Sequence, residues 1–195
     1  GCFSFFPSKN LNGYGDGGMV VTNNEKLAEK IKMLRNHGSK IKYFNDEIGV
    51  SSRLDGIQAA ILSVKLKYLN KWNENRQKIA DTYNNLLGDV NNIEVPKYNL
   101  DKKTKHVYHQ YTLKIKNGKR DELKKYLEKN NVSSMVYYPL PLHFLKAFDY
   151  LEIKKRSLPV AEKMCGEVLS LPIYAELDNK KIIKIVNLIK KYVQR

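Results

Sequence analysis

Two short apolar runs near the start of the chain predict a pair of strands joined by a tight loop. The first run is FSFF at residues 3–6, whose aromatic side chains favour a strand, and Pro7 ends it because proline has no N–H to donate to a ladder. The second run, Met19 to Val21, follows a glycine-rich bend. We therefore expect Lys9 to lie on the loop between two strands.

Apolar residues at helical spacing predict two helices further along. Thr22 and Glu25 form the Thr-x-x-Glu pattern of a capping box, which predicts a helix that begins there and runs to about Leu34. From Leu54 onward, apolar residues recur every three or four positions and predict one long amphipathic helix. Its stripe consists of Ile57, Ile61, Val64, Tyr68 and Trp72.

The second half of the chain alternates between strand-like and helix-like stretches. Residues 108–115 and 132–137 predict strands, residues 120–129 predict a helix, and Asp178 is placed to cap a final helix. The face that this helix buries is predicted to hold Ile182, Ile185, Val186, Ile189 and Val193. This alternation excludes an all-helical bundle or a β-sandwich and predicts an α+β arrangement.

Nothing in the sequence indicates a metal centre. His106 and His109 are three residues apart on a predicted strand, so they would point to opposite faces and could not chelate one ion together. Cys2 and Cys165 have neither metal-binding nor redox spacing, and we expect both to be small buried residues.

The formal net charge of +15 makes nucleic acid a candidate partner. The arrangement of the lysines along the chain does not favour nucleic-acid binding. They are spread along helix faces, and no common nucleic-acid motif is present. A phosphorylated cofactor or a nucleotide-linked substrate uses a positive field equally well, and a lysine-rich coding bias would produce the same composition. With no signal-peptide pattern and no bilayer-length apolar run, we expect no membrane partner and a cytoplasmic location.

Lys9 is the first candidate for chemistry. A lysine held beside buried aromatic rings has its charged form disfavoured, and the neutral amine is the form that attacks a carbonyl carbon. The alternative is a solvated loop lysine.

The segments around Lys9 and several later ones resemble those of the DegT/DnrJ/EryC1/StrS aminotransferases, pyridoxal 5'-phosphate (PLP) enzymes that aminate nucleotide-linked keto sugars. The resemblance covers the whole chain in order. The segments that carry it are FSFFPSKN with GDGG (residues 3–18), RNHG (35–38), IGVSSRLDGIQAAIL (48–62), HVYHQY (106–111), YYPLPLH (137–143) and PVAEKMCGEVLSLPIY (159–174).

The resemblance implies an α/β fold, the PLP-dependent transferase fold type I, of which this chain holds a part. Residues 1–75 would be the C-terminal part of the large, PLP-binding domain with the start of a long connecting helix. Residues 76–195 would be the complete α+β small domain. Because the chain opens on what resembles an interior strand and lacks an initiator Met, we expect it to be the C-terminal part of a longer enzyme.

The resemblance also implies the site residues. Lys9 would bind PLP covalently, Ser4 and Asn10 would contact the cofactor, and Ser51 would reach the PLP phosphate of a neighbouring subunit in a homodimer with shared active sites. Ser51 stands where the family usually has asparagine, so this contact would be weaker. The residues implied in substrate binding are Arg53, Tyr137 and His143.

Each of these roles has a structural alternative that the sequence leaves open. Ser4 would otherwise be a strand serine bonded to backbone, and Arg53 would hold the following helix. His143 would be a hydrogen-bonded residue in a rigid turn, because two prolines fix the backbone of YYPLPLH.

The activity implied is ping-pong transamination, with glutamate as the expected amino donor and a nucleotide-linked keto sugar as acceptor. The YYPxPLH form is closer to members that aminate a 3-keto sugar than to those that aminate a 4-keto sugar. A related sugar dehydratase would have histidine in place of Lys9. The other alternative is an inactive fragment that serves only as a dimerisation or interaction domain.

Overall fold

The computed structural model describes residues 1–97 and 104–194, which form two compact units, Gly1–Asn70 and Lys71–Arg195. None of the helices in the described ranges is both long enough and apolar enough to cross a bilayer.

The first unit contains two small antiparallel hairpins with one helix between them and another after the second. Strand β1 (Cys2–Ser4) pairs with β2 (Gly18–Val20), with Phe3 opposite Met19. Helix α1 (Glu25–Leu34) follows, and β3 (Ser39–Ile41) then pairs with β4 (Phe44–Asn45). Helix α2 (Gly56–Leu66) leads to α3 (Leu69–Leu87), and the division between the two units falls within the first turn of α3.

Helix α1 begins two residues later than the capping box predicts, with Asn24 rather than Thr22 at the N-cap. Asn24 is the N-cap residue, and its Oδ1 accepts the amide proton of Leu27 at 3.0 Å. The Thr22 hydroxyl instead accepts from the amide of Asn24 at 3.1 Å. Asparagine is a better N-cap than threonine, so the later residue takes the role.

The predicted single helix from Leu54 is wrong, because the structure has two helices with a break at Lys67 and Tyr68. At the break, the amide of Tyr68 donates to the carbonyl of Lys65, which closes a tight four-residue turn. Neither glycine nor proline marks this point, so the apolar spacing does not reveal it.

The first unit leaves much of its apolar surface exposed. Within residues 1–70, the buried apolar side chains are Met33 and Leu62. On the predicted helical stripe, Ile57, Val64 and Tyr68 are all exposed instead. Exposed apolar surface of this kind is typical of a region that another protein segment covers.

The second unit packs three helices around an antiparallel sheet of order β5-β6-β7. Its strands are β5 (Ile93–Glu94), β6 (Tyr111–Ile115) and β7 (Val168–Leu171). The core side chains come from the sheet and from α3, α4 (Arg120–Lys129) and α6 (Asn179–Val193). Helix α5 (Pro159–Glu167) precedes β7, and two 3₁₀ segments span Leu142–Phe144 and Lys146–Leu151.

In the second unit, the predicted helices are confirmed and the predicted strands are not. Residues 120–129 form a helix, and Asp178 caps α6 by accepting from the Lys181 amide at 2.9 Å. The predicted strand at 108–115 is shorter, because Tyr108 has a φ of 41° and cannot extend the ladder. Residues 132–137 form no strand and pair only through a bridge between Met135 and Ser170.

The prediction that His106 and His109 lie on a strand is wrong. His106 and His109 both precede β6, so neither lies on a strand, and His106 Nδ1 accepts from the amide of Tyr108 at 3.0 Å. In the ranges 1–97 and 104–194, no group of three or more His, Cys, Asp or Glu side chains is placed to hold a metal ion.

A buried arginine joins α4 to the end of α5. The Arg120 side chain is 8% exposed, and its Nη1 donates to the carbonyl oxygens of Cys165 and Val168, both at 3.0 Å. These carbonyls lie at the C-terminus of a helix, where no intrahelical donor remains. Arg120 therefore supplies a charged donor to two carbonyls at the end of this helix.

We expect Arg120→Met to lower the free energy of unfolding by about 2–4 kcal/mol, because both carbonyls lose a charged donor. Lys119→Met is the matched control, since Lys119 is exposed and its loss should change stability by no more than about 0.5 kcal/mol. Urea unfolding of the two variants checks this. Equal stabilities would contradict the role given to Arg120.

Candidate active site

Lys9 lies on a tight turn directly after β1. Its amide donates to the carbonyl of Phe6 at 2.8 Å, which closes a four-residue turn across Pro7 and Ser8. The Lys9 residue is half-buried. The structure thus places Lys9 between two paired strands, as the sequence predicts.

The rest of the loop from Asn10 to Gly17 folds back onto Phe5. The amide of Gly13 donates to the Phe5 carbonyl at 2.7 Å, and the Phe5 amide donates to the Gly17 carbonyl at 2.8 Å. A Cβ atom on Gly15 would lie 2.8 Å from Gln58 Nε2. A side chain at position 15 would therefore displace the end of the Gln58 side chain.

Two side chains of α2 fasten this loop. Gln58 Oε1 accepts from the amide of Tyr14 at 2.8 Å, and Lys65 Nζ donates to the carbonyl of Asn12 at 2.6 Å. Partial burial lowers the pKa of Lys65, whose Nζ also lies 5.0 Å from the centre of the Tyr14 ring. Sequence reasoning missed Lys65, although its spacing of seven residues from Gln58 places both on one face of a helix.

We expect Gln58→Ala to free the loop that follows Lys9. The Tyr14 amide loses its acceptor, so its hydrogen exchange should speed up at least about tenfold, and stability should fall by about 1 kcal/mol. Ser63→Ala on the same helix is the control, because the Ser63 hydroxyl bonds only within α2, to the carbonyl of Ala59. Unchanged exchange at Tyr14 would show that Gln58 does not hold the loop.

Ser4 is the last residue of β1, before the turn that carries Lys9, and Asn10 directly follows Lys9 on the loop. Ser4 is exposed, and its Oγ accepts from the amide of Phe6 at 3.3 Å, so its own O–H proton is available to a ligand. Asn10 is half-buried next to Lys9. Hydroxyl and amide donors beside an amine form a donor set that suits a phosphorylated aldehyde.

Ser51 and Arg53 lie elsewhere in the first unit, in the extended segment before α2. Ser51 is exposed and forms a bridge with Asn36, and Arg53 Nη1 donates to Asn36 Oδ1 at 3.5 Å. Both line a groove of about 940 Å³ beside the β1–β2 hairpin, together with the basic side chains of Lys32 and Arg35. Ser4, Lys9 and Asn10 are not among the residues that line this groove.

The remaining two predicted site residues belong to the second unit. Tyr137 is half-buried, with its ring 5.6 Å from that of the exposed Tyr138. The His143 side chain is only 4% exposed, and its Nε2 lies 3.2 Å from Glu162 Oε1. Sequence reasoning missed Glu162, since a contact across 19 residues leaves no local pattern.

The family model of the DegT/DnrJ/EryC1/StrS aminotransferases matches residues 1–190. The chain belongs to this family. The match includes the Lys9 loop, the segment with Ser51 and Arg53, and the Tyr137–His143 turn.

Relatives with curated names span the same region. A protein from Geobacillus stearothermophilus named "Pleiotropic regulatory protein" is 47% identical over 97% of this chain and 50% of its own length. A "UDP-N-acetyl-3-dehydro-alpha-D-glucosamine 3-aminotranferase" from Acidithiobacillus ferrooxidans is 41% identical over 98% of this chain and 50% of its own length. The chain therefore spans about half the length of the curated relatives it matches.

A solved structure of DesV from S. venezuelae, described as a complex with a ketimine intermediate, superimposes with a TM-score of 0.92 at 37% identity. The superposition covers 100% of this chain and 51% of DesV. The predicted fold class, part of a PLP-dependent transferase fold of type I, is confirmed by this likeness.

Proposed function

We propose that the full-length gene product is a PLP-dependent aminotransferase that transfers an amino group to a nucleotide-linked keto sugar. The observation that carries this proposal is the Lys9 turn. A half-buried lysine closes a tight turn between paired strands, and the loop after it is bound to α2 on one side and to Phe5 on the other. A reactive amine needs this kind of fixed position.

The residues around Lys9 fit PLP. The Ser4 hydroxyl can donate to a phosphate, Asn10 offers an amide group, and the glycine loop leaves its backbone close to Phe5 without side chains in between. When bound, PLP supplies an electron sink that stabilises negative charge on the carbon next to the amino group.

The tasks of this chain's residues follow from their positions. Lys9 would hold the cofactor covalently through Nζ, and after its release the same amine would accept and return the proton of the amino donor. Ser4 and Asn10 would orient the cofactor. Gln58 and Lys65 act further back, by holding the loop that follows Lys9.

Ser51 is proposed to serve the active site of a second copy in a homodimer. Two observations support this: Ser51 is exposed, and it lines the groove beside the β1–β2 hairpin, which Lys9 does not line. The exposed apolar residues of the first unit also suit a larger assembly. Lys32 and Arg35 beside Ser51 would add positive charge for a phosphate.

The proposed acceptor is a nucleotide-diphosphate 3-keto sugar, and the proposed donor is glutamate. The 3-keto assignment is supported by the Acidithiobacillus relative, whose name states amination at position 3 of a UDP-linked sugar. Arg53, Tyr137 and His143 are proposed to contact the substrate. A cytoplasmic location is proposed because Cys2 and Cys165 are both free, as is usual in a reducing compartment.

The inactive interaction domain is not favoured as an alternative. The match includes the Lys9 segment, and the DesV structure and the Acidithiobacillus relative are both described in terms of amino transfer or its intermediates. A domain kept only for dimerisation would have no need of the half-buried lysine on its bound loop.

The experiment is an amino-transfer assay on the full-length gene product with PLP. The protein would be incubated with glutamate and, in turn, UDP- and dTDP-linked 3-keto and 4-keto sugars, with mass spectrometry of the products. We expect an amino sugar and 2-oxoglutarate in equal amounts from a 3-keto substrate. Amination of the 4-keto substrates alone would contradict the 3-keto assignment, and no amination of any would contradict the proposed function.

A further inference from the structure

A single carboxylate in the second unit joins three separate segments. Glu162, in the first turns of α5, has Oε1 3.2 Å from His143 Nε2 and 3.3 Å from the amide nitrogen of Leu158. Its Oε2 accepts from the amide of Arg156 at 3.0 Å. Glu162 therefore connects the Tyr137–His143 turn and the segment before α5 to the helix itself.

The charge state of Glu162 determines how the His143 ring is protonated. Partial burial raises the pKa of the Glu162 carboxyl, but the hydrogen bonds from Arg156, Leu158 and His143 outweigh it, so the pKa lies below its usual value. An ionised carboxylate can only accept, and Nε2 must therefore carry the ring proton. In the neutral imidazole, this leaves Nδ1 as an acceptor.

The segment that Glu162 binds has a backbone that needs such support. Arg156 has a φ of 71°, in the left-handed region that residues other than glycine seldom adopt. Conformations of this kind persist where surrounding contacts enforce them. The bonds from Glu162 to the amides of Arg156 and Leu158 are contacts of this type.

We propose that Glu162 is a positioning residue for the acceptor sugar: it holds the His143 ring in the Nε2–H form and holds segment Arg156–Leu158 in place beside that ring. The inference rests on the proposed function for its effect on turnover, because it takes the Tyr137–His143 turn as part of the sugar site. Its structural half, the fixed ring and the fixed segment, does not depend on that function.

The structural half is tested with Glu162→Ala and Glu162→Gln in the full-length gene product. Nitrogen-15 NMR reports the form of the His143 ring, with His143→Gln used to assign its signals. We expect the Nε2–H form to dominate in the wild type and to give way to a mixture in Glu162→Ala. Hydrogen exchange at the Arg156 and Leu158 amides should speed up at least about tenfold.

Glu167→Gln is the matched control. Glu167 also lies on α5 and is partly buried, but its carboxylate pairs with Lys163 at 3.8 Å. Neutralising it should leave the His143 ring and both amides unchanged. If Glu162→Ala does not fold, the same measurements are made on Glu162→Gln. This variant is expected to fold because it keeps the side-chain volume and one acceptor oxygen.

The functional half is tested by steady-state kinetics. We expect Glu162→Ala to raise KM for the keto sugar at least about tenfold and to leave the half-reaction with glutamate unchanged. A wild-type KM in this variant would overturn the positioning role, and an unchanged His143 ring would overturn the structural half. Failure of the wild-type protein to aminate any keto sugar would instead overturn the proposed function, and the substrate role of Glu162 with it.

Discussion

Replacing Lys9 with alanine should reduce amino transfer by at least about 10³-fold, the largest effect expected of any single substitution in this chain. Under the proposed function, the variant would lose both the amine that holds the cofactor and the base that moves the donor proton, and neighbouring hydroxyls would replace neither. The measurement is the rate of 2-oxoglutarate formation from glutamate by the full-length gene product.

Lys26→Ala is the control for this substitution. Lys26 is exposed on α1, so its loss should leave the rate within about twofold of wild type. Added methylamine should restore part of the activity of Lys9→Ala, since a small amine can take over the proton transfer. A Lys9→Ala variant with wild-type activity would contradict the assignment of Lys9.

Replacing Gly38 with alanine should destabilise the first unit by at least about 3 kcal/mol. Gly38 has a φ of 75°, and a Cβ atom there would overlap the backbone carbonyl of Glu47. The obstruction is backbone, which cannot move aside as a side chain can. Gly38 also bonds to Met33, Asp46 and Glu47 through its main chain, so the end of α1 would separate from the segment leading to Ser51.

Gly56→Ala is the matched control, because no atom outside its own helix lies within 4 Å of the position its Cβ would take. Alanine favours a helix more than glycine does, so this change should leave stability unchanged or raise it by up to about 1 kcal/mol. Urea unfolding compares the two variants. Equal stability of Gly38→Ala and the wild type would show that the Glu47 backbone does not pack closely against Gly38.

The sequence predicts those elements whose signals are local. The helix Arg120–Lys129 and the Asp178 cap of α6 are both confirmed, because periodicity and capping residues act within a few positions. Strand 132–137 is wrong because pairing depends on what lies alongside, and only Met135 meets a partner there. The long helix is wrong because its break at Lys67 carries no breaking residue.

The candidate site divides in the same way. The Lys9 loop can be predicted from the aromatic run, Pro7 and the glycines, because all of them lie close together in the chain. The fastening of that loop by Lys65 spans 53 residues, and the contact between His143 and Glu162 spans 19. Each of these contacts forms only when a helix packs against a distant loop or turn, so no local sequence pattern predicts it.

The central claim is that Lys9 is the residue to which PLP attaches. The most direct measurement is borohydride reduction of the full-length gene product with PLP, followed by peptide mapping by mass spectrometry. We expect one stable adduct, on the peptide that contains Lys9, and none in Lys9→Ala. An adduct on another lysine, or no adduct in a protein that still transfers amino groups, would contradict it.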